Sequence, residues 1–322
     1  MRRSAKFFVL IAVLIGCGPA SAADPVGVVT ILEGDAFVIR GLSKFKLSEG
    51  VRVMADDLIE TGKGTYGRVE FTDGAMSDLG SATRAQLNRP SLRRSDRPAF
   101  YLLTGWLKIT AAGASSGKAS VGSPLLDAAG LAGATVLWVE GGSGAVFAED
   151  GPVRVTDRRT AAAVPIPLKS RDFVALRGSE AARVDTRPSH EFVASLPRPF
   201  EDSIPPLIDQ FKNRTAPAKP LGVFTYAEVE PWLDAEPVIR RRFVHDWVVK
   251  ADEGYFRERL DAGLAKHPEW ERVLYPERFE PKPPVPPVAV PQSPASGGSI
   301  PRNPSVPSAT PAAGTQGGPP LH

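Results

Sequence analysis

The chain reads as a mainly β protein: an all-β block, a small α-helical subdomain after it, and a disordered Pro-rich tail. Three observations predict this. Apolar residues alternate with period two in short runs up to about Asp185, the apolar period lengthens to 3.6 after about Arg187, and prolines crowd the last forty residues. The organising stretch is Gly50 to Gly80. Within it Gly67, Val69 and Phe71 share one face of an extended chain and Arg68, Glu70 and Thr72 the other, because successive strand side chains point to opposite faces. Asp73-Gly74 follows, a pair that tolerates the positive φ of a tight hairpin turn. The pattern predicts a half-buried antiparallel scaffold and contains no recognisable reactive group.

Met1 to Ala22 has a basic start (Arg2, Arg3, Lys6), an apolar run from Phe7 to Ile15 and the small-residue end Ala20-Ser21-Ala22, which together predict a signal peptide over 1–22 and a periplasmic location. Two forms of processing fit. Leu14-Ile15-Gly16-Cys17 resembles a bacterial lipoprotein box, so Cys17 could carry a lipid anchor; Ala20 and Ala22 suit the ordinary peptidase, which would discard it. In both cases the folded part lacks cysteine, so no disulfide holds it in an oxidising compartment. Export also changes the charge. The chain holds 39 Lys and Arg against 36 Asp and Glu, and 39 less Arg2, Arg3 and Lys6 leaves 36 of each sign. A neutral mature chain predicts no nucleic-acid partner, and Arg240-Arg241-Arg242 reads as a solvated helix face.

The strands expected in the first block are Val28 to Leu32, Ala36 to Arg40, Leu58 to Thr61, Tyr66 to Thr72 and Phe100 to Ile109, with Asn88 to Arg97 as a loop between Pro-containing ends. Trp106, in the middle of the last of these strands, reads as core packing. After the Gly/Ser/Ala loop Ala111 to Ala119, strands are expected at Thr135 to Glu140, Ala145 to Ala148, Val153 to Thr156 and Phe173 to Leu176. A sandwich and a short solenoid both satisfy this pattern. The helical segment spans 199–276: a short helix around Leu207 to Phe211, a capping box at Thr225-Tyr226-Ala227-Glu228 on a helix kept short by Pro231, then faces Ile239/Phe243/Trp247, Phe256/Leu260/Leu264 and Trp270/Val273/Leu274. Residues 281–322 lack the apolar content to form a core and predict a polyproline-rich spacer.

Motifs that could carry chemistry are few. Gly113-Ala114-Ser115-Ser116-Gly117 matches the pattern of hydrolase nucleophile elbows but lies in a low-complexity loop with no helix after it. His190, His245, His267 and His322 are too scattered for a metal site. Asp56-Asp57 reads as turn capping, and Gly141-Gly142-Ser143-Gly144 has no following helix to make it a phosphate loop. No catalytic, cofactor-binding or metal-binding residue is expected, and no cofactor.

Gly50 with Asp57-Leu58-Ile59-Glu60-Thr61-Gly62, then Val69-Glu70-Phe71-Thr72-Asp73-Gly74, resembles the FecR domain. Phe100 to Ile109 around Gly105, Gly133-Ala134-Thr135 and Glu149-Asp150-Gly151-Pro152-Val153 extend the likeness over residues 25–185. Met76-Ser77-Asp78-Leu79 departs from the usual apolar alternation, and Ser170-Arg171-Asp172 stands where a Gly-containing turn is usual. In signalling members of that family the resemblance implies a periplasmic sensor tied through a membrane span to a cytoplasmic segment that controls a sigma factor. Only six residues precede the apolar run here, so the expectation is a stand-alone exported FecR-like protein. Its expected function is non-enzymatic binding or scaffolding in the cell envelope, with an envelope protein or cell-wall component as partner. A regulator working with a separate membrane protein is the alternative, and a carbohydrate-directed enzyme the third reading.

Overall fold

Strands dominate the computed structural model, which describes residues 24–88, 98–160 and 162–280. The expected signal peptide with Cys17, nearly all of the loop Asn88 to Arg97, and the tail 281–322 with His322 lie outside those residues. β1 (Gly27–Glu33), β2 (Ala36–Arg40), β3 (Ser43–Lys46), β4 (Arg52–Val53), β5 (Leu58–Thr61) and β6 (Tyr66–Phe71) come first. β7 (Met76–Leu79), β8 (Arg84–Leu87) and the long β9 (Phe100–Ala111) follow. The second block holds β10 (Ala119–Gly122), β11 (Leu126–Leu131), β12 (Gly133–Glu140), β13 (Ser143–Ala148) and β14 (Val153–Asp157). It ends with β15 (Ile166–Leu168), β16 (Phe173–Leu176) and β17 (Arg183–Asp185), and β18 (Lys219–Val223) returns from the helical segment.

These strands make two sheets that share β9. The β6 sheet runs β4-β1-β6-β7-β9-β12-β13-β16-β17, all antiparallel. The β2 sheet runs β18-β3-β2-β5-β8-β9-β10-β11-β14-β15, antiparallel except for β9 with β10. One apolar core draws on both, with Val29, Val69, Leu107 and Val146 from the first and Val38, Ile59, Leu102 and Val155 from the second. The arrangement is therefore mainly antiparallel β, one strand system that curves through β9 and whose chain passes repeatedly between the two sheets. Gly105 is the point where β9 changes sheet. Its φ is +98°, and a Cβ there would lie 2.4 Å from Thr83 Oγ1 and 2.5 Å from Thr83 Cα, so glycine alone fits.

Turn chemistry follows the sequence. Gly141 and Gly142, at φ +56° and +79°, form the two-residue link between Glu140 and Ser143, which is why this glycine run is a hairpin. In the turn Ser170-Arg171-Asp172, Arg171 itself takes φ +77°, and Asp172 steadies the loop by accepting from the Lys169 amide at 2.8 Å.

Among the described residues the α-helices are α1 (His190–Ser195), α2 (Tyr226–Leu233), α3 (Pro237–Asp246), α4 (Gly254–Ala262) and α5 (Glu271–Leu274). The sequence reading omitted α1, whose N-cap Ser189 accepts from Phe192 N at 3.2 Å. The segment Leu207 to Phe211 forms a 3-10 turn, Ile208–Phe211, instead of an α-helix. The capping box is present: Glu228 accepts from Thr225 N at 2.7 Å. α2 continues through Pro231 to Leu233. Phe224, Trp232, Phe243, Trp247, Phe256 and Trp270 are buried among the helices and against Ile39, Leu58 and Tyr101, so the predicted apolar stripes cover the outer face of the β2 sheet. None of the described helices is long and apolar enough to cross a membrane.

The solvent side expected for β6 also fails. β6 alternates as predicted, yet it is buried on both faces, with Arg68 3% and Glu70 1% exposed. The cause is the segment between α1 and β18, which crosses the outer face of the β6 sheet and makes the solvent side of the predicted strand interior.

Candidate functional site

The residues that looked chemical in sequence are occupied structurally. Ser115 is buried in a 3-10 turn, where its Oγ donates to Ala112 O at 2.7 Å and accepts from Ala112 N at 3.1 Å. Asp56 and Asp57 do diverge. Asp56, at φ +69°, faces outward to Arg242 at 2.6 Å. Asp57 is enclosed: it accepts from Arg40 Nε at 2.8 Å and Nη2 at 2.6 Å and from Met54 N at 2.8 Å. Burial pushes its carboxyl above the ordinary range against those bonds. His190 and His245 are exposed, whereas His267 is fully buried with Nε2 on Leu260 O at 3.2 Å and Nδ1 3.7 Å from Asp234 Oδ1. Burial lowers the pKa of His267, with the Leu260 carbonyl and Asp234 opposing. Arg240 pairs with Glu269 and Arg242 with Asp56 and Asp246, while Arg241 is exposed, so the arginine run is divided among helix contacts and solvent. Among the described residues no three His, Cys, Asp or Glu side chains gather in a metal-binding arrangement.

The covered face of the β6 sheet carries a buried polar row. Arg68 Nε meets Asp78 Oδ1 at 2.6 Å, and Tyr66 donates its hydroxyl to the same oxygen at 2.7 Å. Burial, then Asp78, drives the Tyr66 pKa upward. The crossing segment is held by its main chain. Glu70 accepts from Leu207 N at 2.9 Å and Ile208 N at 2.8 Å, Arg68 donates to Ile204 O at 2.9 Å, and Lys108 to Phe200 O at 2.5 Å. Every one of these bonds is local packing chemistry, and the charges are consumed by it.

Beside this row the same face opens into a cleft of about 400 Å³. Its floor is aromatic. The half-buried Trp138 on β12 and the buried Phe173 on β16 and Phe192 on α1 line it, with Trp106 beside Trp138 at 6.0 Å between ring centroids and 5.2 Å from Phe192. Its polar rim consists of Ser143, Ser189, Ser195 and an exposed ion pair, Arg177 Nη2 to Glu191 Oε2 at 2.7 Å. Trp106 and Trp138 are directly opposed across β9 and β12, and α1 lays Phe192 on them, so the β9–β12 pair, β16 and a short capped helix together place the aromatic group. Sequence reasoning assigned Trp106 to packing, which holds, and did not single out Trp138, Phe192, Arg177 or Glu191. The usable signal was Ser189 three residues before Phe192: a helix cap that commits an aromatic to the sheet.

No family model matches the chain, and no curated protein matches it. Two solved structures from Parabacteroides distasonis, each described as a "putative anti-sigma factor", are similar over 42% of this chain, at 17% and 14% identity with TM-scores of 0.36 and 0.35. The similarity spans 62% and 63% of those two chains.

Proposed function

We propose that the protein is exported to the periplasm and acts there as a non-enzymatic binding or scaffold protein of the cell envelope, engaging its partner at the cleft between α1 and the β6 sheet. The observation that carries this reading is the cleft itself, a concavity with the half-buried Trp138 and a polar rim that keeps spare donors and acceptors, whereas Ser115, Asp57 and the buried charges are spent on internal bonds. The signal-like start and the neutral mature charge support an envelope setting over a nucleic-acid one. The FecR-like motif order supports the regulatory alternative, in which the partner is a separate membrane protein.

The test is capture from envelope extract with a photo-crosslinker at Ser143. Wild-type protein should retain an envelope component, and Trp138→Ala should lose it. Recovery of wall material fits a scaffold, and recovery of a membrane receptor fits a regulator. Capture that is indifferent to Trp138→Ala would remove the cleft from the reading.

A further inference from the structure

We propose, resting on that reading, that the cleft takes an uncharged saccharide. The argument is one of matching chemistry. A sugar ring presents an apolar C–H face and a girdle of hydroxyls that both donate and accept, so its site needs aromatic surface bordered by donors and acceptors without excess charge. The half-buried Trp138 supplies the accessible aromatic surface, with Trp106 beside it on β9 at 6.0 Å between ring centroids, while Phe173 and Phe192, 3% and 6% exposed, line the cleft from within the core.

The rim has unused hydrogen-bonding capacity of both kinds. Ser189 Oγ accepts from Phe192 N, which leaves its proton to donate. Ser195 Oγ gives its proton to Glu191 O at 2.9 Å or Phe192 O at 3.0 Å, which leaves its lone pairs to accept. Ser143 Oγ makes no hydrogen bond among the described residues, and it stands at the lip of the hairpin. Arg177 uses Nη2 and Glu191 uses Oε2 on each other, so Nη1, Nε and Oε1 remain.

Charge decides against the competitors. Arg177 and Glu191 cancel, so a phosphate or carboxylate would meet no net positive field and would face Glu191; a cation would have one carboxylate already paired. An uncharged polyhydroxylated ring satisfies both members of the pair at once. The volume of about 400 Å³ also falls within the range of small-ligand sites, about 300 to 1,000 Å³.

The test titrates the protein with N-acetylglucosamine oligomers and with maltooligosaccharides, followed by tryptophan fluorescence and calorimetry. At least one series should bind saturably. Trp138→Ala and Arg177→Ala should each weaken it about tenfold or more. Ser143→Trp, which fills the lip without removing a core atom, should abolish it, and Arg241→Ala on the distant exposed face of α3 should leave it unchanged. If both series fail to bind while Trp138→Ala still abolishes envelope capture, the saccharide inference falls and the binding reading stands. If capture is also indifferent to Trp138→Ala, both fall. Binding of polygalacturonate but neither neutral series would overturn the charge argument.

Discussion

The outer faces of the β2 and β6 sheets are covered in opposite ways. Over the β2 sheet, helices bury Trp232, Phe243 and Trp270 against Ile39, Leu58 and Tyr101, so the cover is held by apolar area. Over the β6 sheet, an irregular segment is held by Glu70, Arg68 and Lys108 gripping its main chain. Apolar burial is graded and non-directional, whereas a buried charge is tolerated only while its partners stay in place. The difference predicts that the two covers respond alike to a single insult and differently to its repair.

Trp232→Ala and Arg68→Ala should each cost about 3 to 5 kcal/mol in chemical denaturation, the first by leaving a cavity and the second by leaving Asp78 buried without its counter-ion. Arg68→Met combined with Asp78→Leu should recover most of the second loss, because a packed apolar pair replaces an ion pair. If the double variant is no better than Arg68→Ala alone, the charges are not what makes this face fragile.

Glu70→Gln keeps an acceptor and removes the charge, so its expected cost is smaller, about 1 to 2 kcal/mol. Faster hydrogen exchange at the Leu207 and Ile208 amides, with the Tyr226 to Leu233 amides unchanged, would localise that cost to the polar cover. Uniform acceleration would show that the two covers are coupled.

Among the helices, pH should act through His267. Its folded pKa lies below the ordinary 6.5, so the unfolded chain binds the proton more tightly and stability falls as pH drops through 6.5 toward the folded value. The charged groups facing it are Asp234, Glu269 and Arg240. Thermal melts between pH 7.5 and 5.5 should show this slope, and His267→Gln should flatten it while lowering stability at both ends. The smallest effect belongs to Ser115→Ala. It removes one local hydroxyl bond, about 0.5 to 1.5 kcal/mol, and should leave envelope capture intact. Loss of capture by a folded Ser115→Ala protein would revive the hydrolase reading.

Strands that carry their own pattern were legible: Ala36–Arg40, Leu58–Thr61 and Phe173–Leu176 are rich in β-branched and aromatic residues and form where expected. Those specified by their neighbours were not. Arg84–Leu87 offers only Ala85 and Leu87, and Arg183–Asp185 only Val184, as apolar residues, and both become strands because β5 and β9, or β16, offer an edge. Lys219–Val223 contains Pro220 and is exposed throughout, yet it pairs with β3 from the far end of the chain. The cleft was illegible for a related reason. Its residues come from β12, β13, β16 and α1, and no local period links Trp138 to Phe192. Glu70 looked like a solvent residue because its partners are backbone amides, which leave no mark in a sequence.

β9 has a further consequence, for the order in which the protein can be made. It supplies the neighbour of β7 and β12 in one sheet and of β8 and β10 in the other. Until Phe100 to Ala111 has left the ribosome, β7 and β8 both present bare edges, each a template for another nascent chain. Pairings of this sequence span close slowly, because the loop must be ordered before the contacts return anything. The interval between synthesis of Leu87 and docking of β9 is thus the period of greatest exposure to aggregation, and the interval in which a holding chaperone would protect the chain most.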